Sequence, residues 1–347
     1  MREINDIQIE LHPAAYPASA ADVQALRQTG TYARCRIPGV LALENGEALL
    51  YYECRTGNSD WGAIDIGCRR VTADGKIETR TILADGHGKT MNNPVMIADG
   101  KTVHFLFCED YKRVFYRRSA DLGATWTAAR EITAGIARGL DGTFWNAFAV
   151  GPGHGLRLPG GRLLASCWFA CSRSDPYAHR PSFISTVYSD DGGESWQLGE
   201  ILDTAGIVNP SESCIAALNN GRLLLNIRNE NPDKRRRVAV SDDGVRWRDL
   251  QAAPELPDPV CCAGLCSMEE DLLFTNCAHT QNRTNLTLKR LSPDGKIKEK
   301  LYLSHSGGYS DVCMLPDGRV YVFYEKDKDL YLAVIAPGGA QSPALRV

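Results

Sequence analysis

A set of arginines, carboxylates and one tyrosine stands at the ends of strand-like runs scattered along the 347-residue chain. Arg36-Ile37-Pro38 precedes an apolar run, and Glu53-Cys54-Arg55 closes it. Asp60 follows in a loop containing glycine and asparagine. Asn209-Pro210-Ser211-Glu212 enters a later strand and Arg228 ends the next, with Arg283, Gly308-Tyr309-Ser310 and Tyr324-Glu325 beyond. Arginine is a planar, bidentate donor that does not deprotonate, so converging arginines suit a carboxylate ligand. Such guanidiniums repel one another and need a carboxylate behind them. A tyrosine hydroxyl, with a pKa of about 10, becomes a nucleophile only where a base takes its proton. Taken singly, each residue has a plainer role: a surface arginine, a turn aspartate, a salt-bridged glutamate, a tyrosine packed on a sheet. The ordered set is what points to chemistry.

The elements that must position this set repeat. Ser119, Asp121, Gly123 and Trp126 follow the pattern S-x-D-x-G-x-x-W, which returns at Ser189, Asp191, Gly193 and Trp196. A third copy, Ser241, Asp243, Gly244 and Trp247, is one residue shorter, while Asp74-Gly75 and Asp294-Gly295 keep only the turn. Aspartate and glycine suit a tight turn, serine can hydrogen-bond within it, and tryptophan anchors the return strand. A second phrase, a polar turn with glycine before an apolar strand, recurs at Gly46, Gly161, Gly221 and Gly318. The turns recur at roughly 55 residues, too long for a hairpin and right for a four-stranded blade. They predict an all-β fold, a six-bladed β-propeller of four-stranded antiparallel blades. Thirty-two glycines and 17 prolines agree with many turns. No linker divides the chain, so one domain is expected over residues 1–347. A short N-terminal capping segment to about residue 30 would carry the one expected helix, near Ala20.

The S-x-D-x-G-x-x-W turn is the Asp-box, and together with the ordered set it makes the chain resemble the exo-α-sialidase (neuraminidase) family over residues 32–326. Asp-boxes also occur in non-catalytic propellers, so the weight rests on the arginines, carboxylates and tyrosine. The resemblance implies that Arg36, Arg228 and Arg283 bind the substrate carboxylate, with Glu325 holding Arg36. It implies Tyr309 as nucleophile, Glu212 as its base, and Asp60 as the acid that protonates the leaving oxygen and then activates water. A neutral phenol approaches an anionic substrate without the repulsion a carboxylate nucleophile would meet. Arg55 and Asn92 would contact the O4 hydroxyl, Asn92 being an amide where the family usually has an aspartate. Trp61, Phe107 and Phe115 are candidates for an N-acyl pocket, and Cys35 stands where an aromatic often precedes the first arginine.

The implied activity is that of a retaining exo-α-sialidase, removing terminal sialic acids from oligosaccharides or glycoconjugates through a tyrosine-linked intermediate, with no metal or cofactor. Three alternatives stand beside it: a non-catalytic sialic-acid-binding propeller, the same chemistry on a related nonulosonic acid, and transfer to another acceptor as in a trans-sialidase. An intact Asp60, Glu212 and Tyr309 argue for an enzyme, because a binding module needs only the arginines.

Composition narrows the partners. A formal charge of −3 carries no footprint for nucleic acid or an anionic membrane, and no apolar run is long enough to span a bilayer. A sialylated glycan is then the one expected partner, with oligomeric state open. The N-terminal residues lack the apolar core of a signal peptide, so a cytoplasmic protein is expected, or a secreted one if a leader has been removed. Twelve cysteines sit in apolar stretches without a CxxC spacing. They read as reduced, buried thiols rather than as zinc ligands at Cys167/Cys171 and Cys262/Cys266. His154, in a glycine-rich run without a P-loop lysine, reads as part of a tight turn. Lys234 to Arg237 reads as a solvated charged face.

Overall fold

The computed structural model describes residues 32–140, 144–327 and 329–336; the expected capping segment and helix near Ala20 lie outside them. Six sheets follow one another along the chain, antiparallel but for one short crossing segment. The first, blade 1, runs Arg34–Ala42, Ala48–Arg55, Ile64–Val71 and Thr81–Ala84. The later blades open on Met91–Asp99, Ala147–Val150, Ser213–Ala217, Gly264–Met268 and Ser310–Met314. First strands of neighbouring blades touch, that of blade 4 packs against Leu163–Ala170 of blade 3, and the ring closes between blades 6 and 1. The fold is the expected six-bladed propeller.

One apolar cluster fills each of the six gaps between blades, from Phe105 and Tyr51 between blades 1 and 2 to Tyr52 and Phe323 between blades 6 and 1. This sandwiching explains why second strands such as Ala48–Arg55 and Leu163–Ala170 are buried at every position instead of alternating. It also accounts for the cysteines. All twelve are thiols outside any disulfide, and eleven are buried, small apolar fillers of the blade faces.

Three details depart from the expected pattern. The innermost position of blade 3 is shared by Ala147–Val150 and Leu156–Arg157, while Gly153–His154 between them crosses to pair in parallel with Val95 and Met96 of blade 2. A six-residue helix, α1 (Thr133–Arg138), links blades 2 and 3, where none was expected; it buries Ile136. Blade 6 has three strands among the described residues. The Lys234–Arg237 run is not a solvated face. Arg236 is fully buried, donating to Asn226 Oδ1 (2.6 Å) and Asp258 (3.1 Å), and Arg237 is buried too.

Antiparallel order sorts the turns onto two rims. The Gly46, Gly161, Gly221 and Gly318 turns join first to second strands, and every Asp-box or remnant joins a third to a fourth, in blades 1 to 5. Both lie on one rim. The starts of first strands and the ends of second strands lie on the other.

Candidate active site

That second rim collects the expected residues. Arg36, Glu212 and Tyr309 stand at the starts of first strands, and Arg55, Arg228 and Glu325 at the ends of second strands. Asp60 and Arg283 sit in loops leaving second strands. A recurring backbone device turns these entries inward: a residue with positive φ followed by proline, at Ile37 (58°), Asn93 (54°), Gly151 (53°) and Asn209 (43°). In blades 1 and 2 the strand register slips there, between Arg36 and Gly39 and between Asn92 and Val95. The missing proline N–H and the bulge release the first strand from its ladder and re-aim the adjacent side chains.

Arg36, Arg55, Asp60, Glu212, Arg228, Arg283 and Tyr309 line one pocket. Tyr309 is its floor. The phenol donates to Glu212 Oε1 at 2.5 Å and accepts from Arg228 Nη1 at 2.7 Å. The guanidinium carbons of Arg36, Arg228 and Arg283 stand 5.1, 5.9 and 5.2 Å from its ring centre. Burial raises the Tyr309 pKa above its ordinary value, and the three arginines limit that rise. Arg228 also pairs with Glu212.

Glu325 locks this arrangement from behind. Its Oε1 accepts from Arg36 Nε and the Ile37 N–H, both at 3.0 Å, and its Oε2 accepts from the Tyr309 N–H at 3.2 Å. One carboxylate therefore joins the first arginine to the tyrosine across the blade 6–blade 1 seam. Burial would raise its pKa, but Arg36 and the two N–H groups outweigh burial and hold the carboxyl below the ordinary range. Gly308 is required for this contact, since a Cβ there would stand 2.3 Å from Glu325 Oε2.

Asp60 faces the opening, its side chain 43% exposed. It accepts from Arg55 Nη1 at 2.6 Å and lies 3.6 Å from Arg36. Its partial burial would raise its pKa, but Arg55 and then Arg36 lower it below the usual carboxylate range. Arg55 is itself aimed by the fully buried Glu53, which accepts from its Nε at 2.8 Å and from the Asn93 N–H at 2.9 Å. Glu53 is a positioning residue that the sequence reading passed over, although it opens the same Glu-Cys-Arg run.

Two expectations need correction. Asn92 does not line the pocket. Positive φ at Asn93 brings that residue to the pocket wall, while Asn92 is buried behind it and donates to Asn93 Oδ1 at 2.9 Å. Phe107 and Phe115 do not line it either; they stack on each other at 5.5 Å within the core between blades 1 and 2. Trp61 sits one layer out, against Tyr111 (4.5 Å) and Tyr177 (5.2 Å). The aromatic wall is Tyr111, Trp168 and His179, none of them singled out from the sequence. Among the described residues, Trp168 Nε1 and His179 Nε2 are buried without a hydrogen-bond partner. Arg180 and Glu230 pair on the pocket's outer wall at 2.6 Å.

Fold and site together define a six-bladed propeller with a tyrosine-floored, arginine-ringed pocket at one mouth. The chain belongs to the BNR repeat-like domain family, which matches residues 46–322. It is 27% identical over 339 residues to a sialidase of Bacteroides fragilis (strain YCH46), covering 84% of this chain and 59% of that protein. Against an exo-alpha-sialidase of Arthroderma benhamiae it is 26% identical over 344 residues, covering 84% and 78%. The chain thus spans about three fifths of the length of the Bacteroides relative. Among solved structures, Hadza microbial sialidase Hz136 is similar with a TM-score of 0.78 at 23% identity, covering 90% of this chain and 68% of that one, a likeness of fold.

Proposed function

We propose that this protein is a retaining exo-α-sialidase whose substrate is a terminal sialic acid on an oligosaccharide or glycoconjugate. The observation that carries the reading is Tyr309: its hydroxyl is bonded to a carboxylate, Glu212, while its ring is surrounded by three arginines. A site for binding alone has no use for a base on the phenol. The sialidase relatives support the same reading.

In this mechanism the substrate carboxylate docks on Arg36, Arg228 and Arg283. Glu212 takes the phenolic proton as Tyr309 Oη bonds to the anomeric carbon, and the glycosidic C–O bond breaks with a proton passing from Asp60 to the leaving oxygen. Asp60 then takes a proton from water, whose oxygen displaces Tyr309, and Glu212 returns the phenolic proton. Asp60 begins ionised, held by Arg55 and Arg36. An arriving carboxylate takes up Arg36 and adds negative charge nearby, and both changes raise the proton affinity of Asp60. Asp60 therefore takes up a proton from solvent as the substrate binds, and that is the proton it passes to the leaving oxygen. The thiols, outside any disulfide and mostly buried, support a reducing compartment, in keeping with a cytoplasmic place of action.

The test is release of 4-methylumbelliferone from its α-sialoside by wild type and by Tyr309→Phe. Turnover by wild type and its loss in the variant are expected. Absence of wild-type turnover on any sialoside overturns the reading.

A further inference from the structure

Strands from blades 1, 2, 3, 5 and 6 meet around one buried ion pair that the reaction above does not use. His154 Nδ1 lies 2.9 and 3.1 Å from the two carboxylate oxygens of Asp311, which is 2% exposed. Asp311 Oδ2 accepts from the Val40 N–H of blade 1 at 3.0 Å, and Oδ1 from its neighbour Val312 at 2.9 Å. His154 reaches this point because Gly153–His154 leaves blade 3 to pair with blade 2. The Tyr51 hydroxyl of blade 1 fixes that crossing by donating to the Gly153 carbonyl at 3.0 Å. From blade 5, Gly264 packs so closely that a Cβ would stand 2.6 Å from Asp311 Cα.

The pair is electrically closed. Among the described residues, the salt bridge of Asp311 is to His154. The other titratable groups acting on Asp311 are Tyr51 from blade 1, Cys214 from blade 4, Cys266 from blade 5 and Cys313 from its own strand. Burial pushes all four pKa values up, which keeps them neutral, and the blade 2 residues paired with Gly153–His154 are the apolar Val95 and Met96. A buried carboxylate without its partner is strongly destabilising, so Asp311 depends on a cationic His154.

Asp311 lies two residues beyond Tyr309, on the same side of the strand, and Val40 lies on the strand that carries Arg36. We propose that His154 and Asp311 are positioning residues for the reaction, tying the Tyr309 strand to the Arg36 strand so that the phenol stands at the centre of the arginine ring. The kinetic expectation rests on the sialidase reading above. The pair also brings a pH dependence. Burial lowers the pKa of His154, but Asp311 outweighs burial and raises it. Its stabilisation is therefore complete below about pH 6.5 and is lost as pH rises through the folded value.

The experiment uses His154→Gln and Asp311→Asn in the full chain, with an NMR titration of the wild-type imidazole. In both variants kcat on the fluorogenic sialoside falls about 10- to 100-fold with KM within about three-fold, because the arginines keep their own supports. The wild-type thermal advantage over each variant shrinks as pH rises through the His154 pKa. A His154 that is neutral at pH 6.5 overturns the proposal, whether or not the variants fold. Unchanged kcat between pH 5 and 8, with only the thermal midpoint lowered, overturns the positioning role and leaves the sialidase reading intact. Absence of wild-type turnover removes that reading and the kinetic role with it, while the titration still decides whether the ion pair exists.

Discussion

The two rims of the propeller use the same residue types in opposite ways. On the Asp-box rim the aspartate and serine of each box are satisfied within their own turn. Asp121 accepts from the Thr125 N–H (2.8 Å) and hydroxyl (2.6 Å), and Ser119 accepts from the Gly123 N–H (2.7 Å). Asp191 and Ser189 repeat the same bonds, with the Ser195 N–H at 2.8 Å and the Gly193 N–H at 2.9 Å. On the other rim the partners around the tyrosine are far apart in sequence: Glu325 holds Arg36 across 289 positions and Glu212 meets Tyr309 across 97. Local closure produces a repeated turn whose aspartate and serine need no distant partner. Long-range closure leaves arginines and a phenol facing a pocket, and it is there that chemistry becomes available.

Substitutions on the two rims should separate activity from stability. The largest effect is expected for Tyr309→Phe, with kcat reduced on the order of 10³-fold or more and the fold retained by circular dichroism. Activity within ten-fold of wild type would remove Tyr309 as nucleophile. Next comes Arg283→Ala: losing a charged hydrogen-bond partner, about 1.5–3 kcal/mol, should lower kcat/KM about 10- to 150-fold. Unchanged steady-state kinetics would exclude it from the carboxylate clamp.

Glu325→Gln probes the seam between blades by pH. The depressed native pKa of Glu325 means that its stabilisation is fully present above about pH 4.5 and is lost as pH falls through the native value. The urea midpoint gap between wild type and Glu325→Gln should therefore be widest near neutrality and close towards acid. A gap independent of pH would contradict this. The smallest effect belongs to the far rim. Asp191→Ala should cost about 1 kcal/mol or less in urea unfolding and leave kcat and KM unchanged. A large kinetic effect there would break the division between the rims.

The Asp-boxes were legible because their hydrogen bonds close within a few residues, and their spacing sets the number of blades. The candidate site was legible as an ordered set of residue types. Within it, Glu325 behind Arg36 and Glu212 beside Tyr309 stand as the resemblance implied. Position was harder to read where backbone conformation departs from strand alternation. Asn93 rather than Asn92 reaches the pocket because positive φ before Pro94 turns the strand at that residue. Phe107 and Phe115 look like pocket aromatics by their place in the sequence, yet both pack into the core between blades 1 and 2.

The sequence by itself determined the blade count, the turn chemistry and the inventory of reactive groups, since each depends on residue type and near-neighbour spacing. Only the tertiary structure decided which groups meet. The Tyr111, Trp168 and His179 wall and the His154–Asp311 pair each join side chains from different strands or loops and from more than one blade. Ring closure brings such residues together, and no local pattern records it. The physical reason is that a propeller's turns are settled by short-range hydrogen bonds, whereas its pocket is settled by the packing of six sheets around one axis.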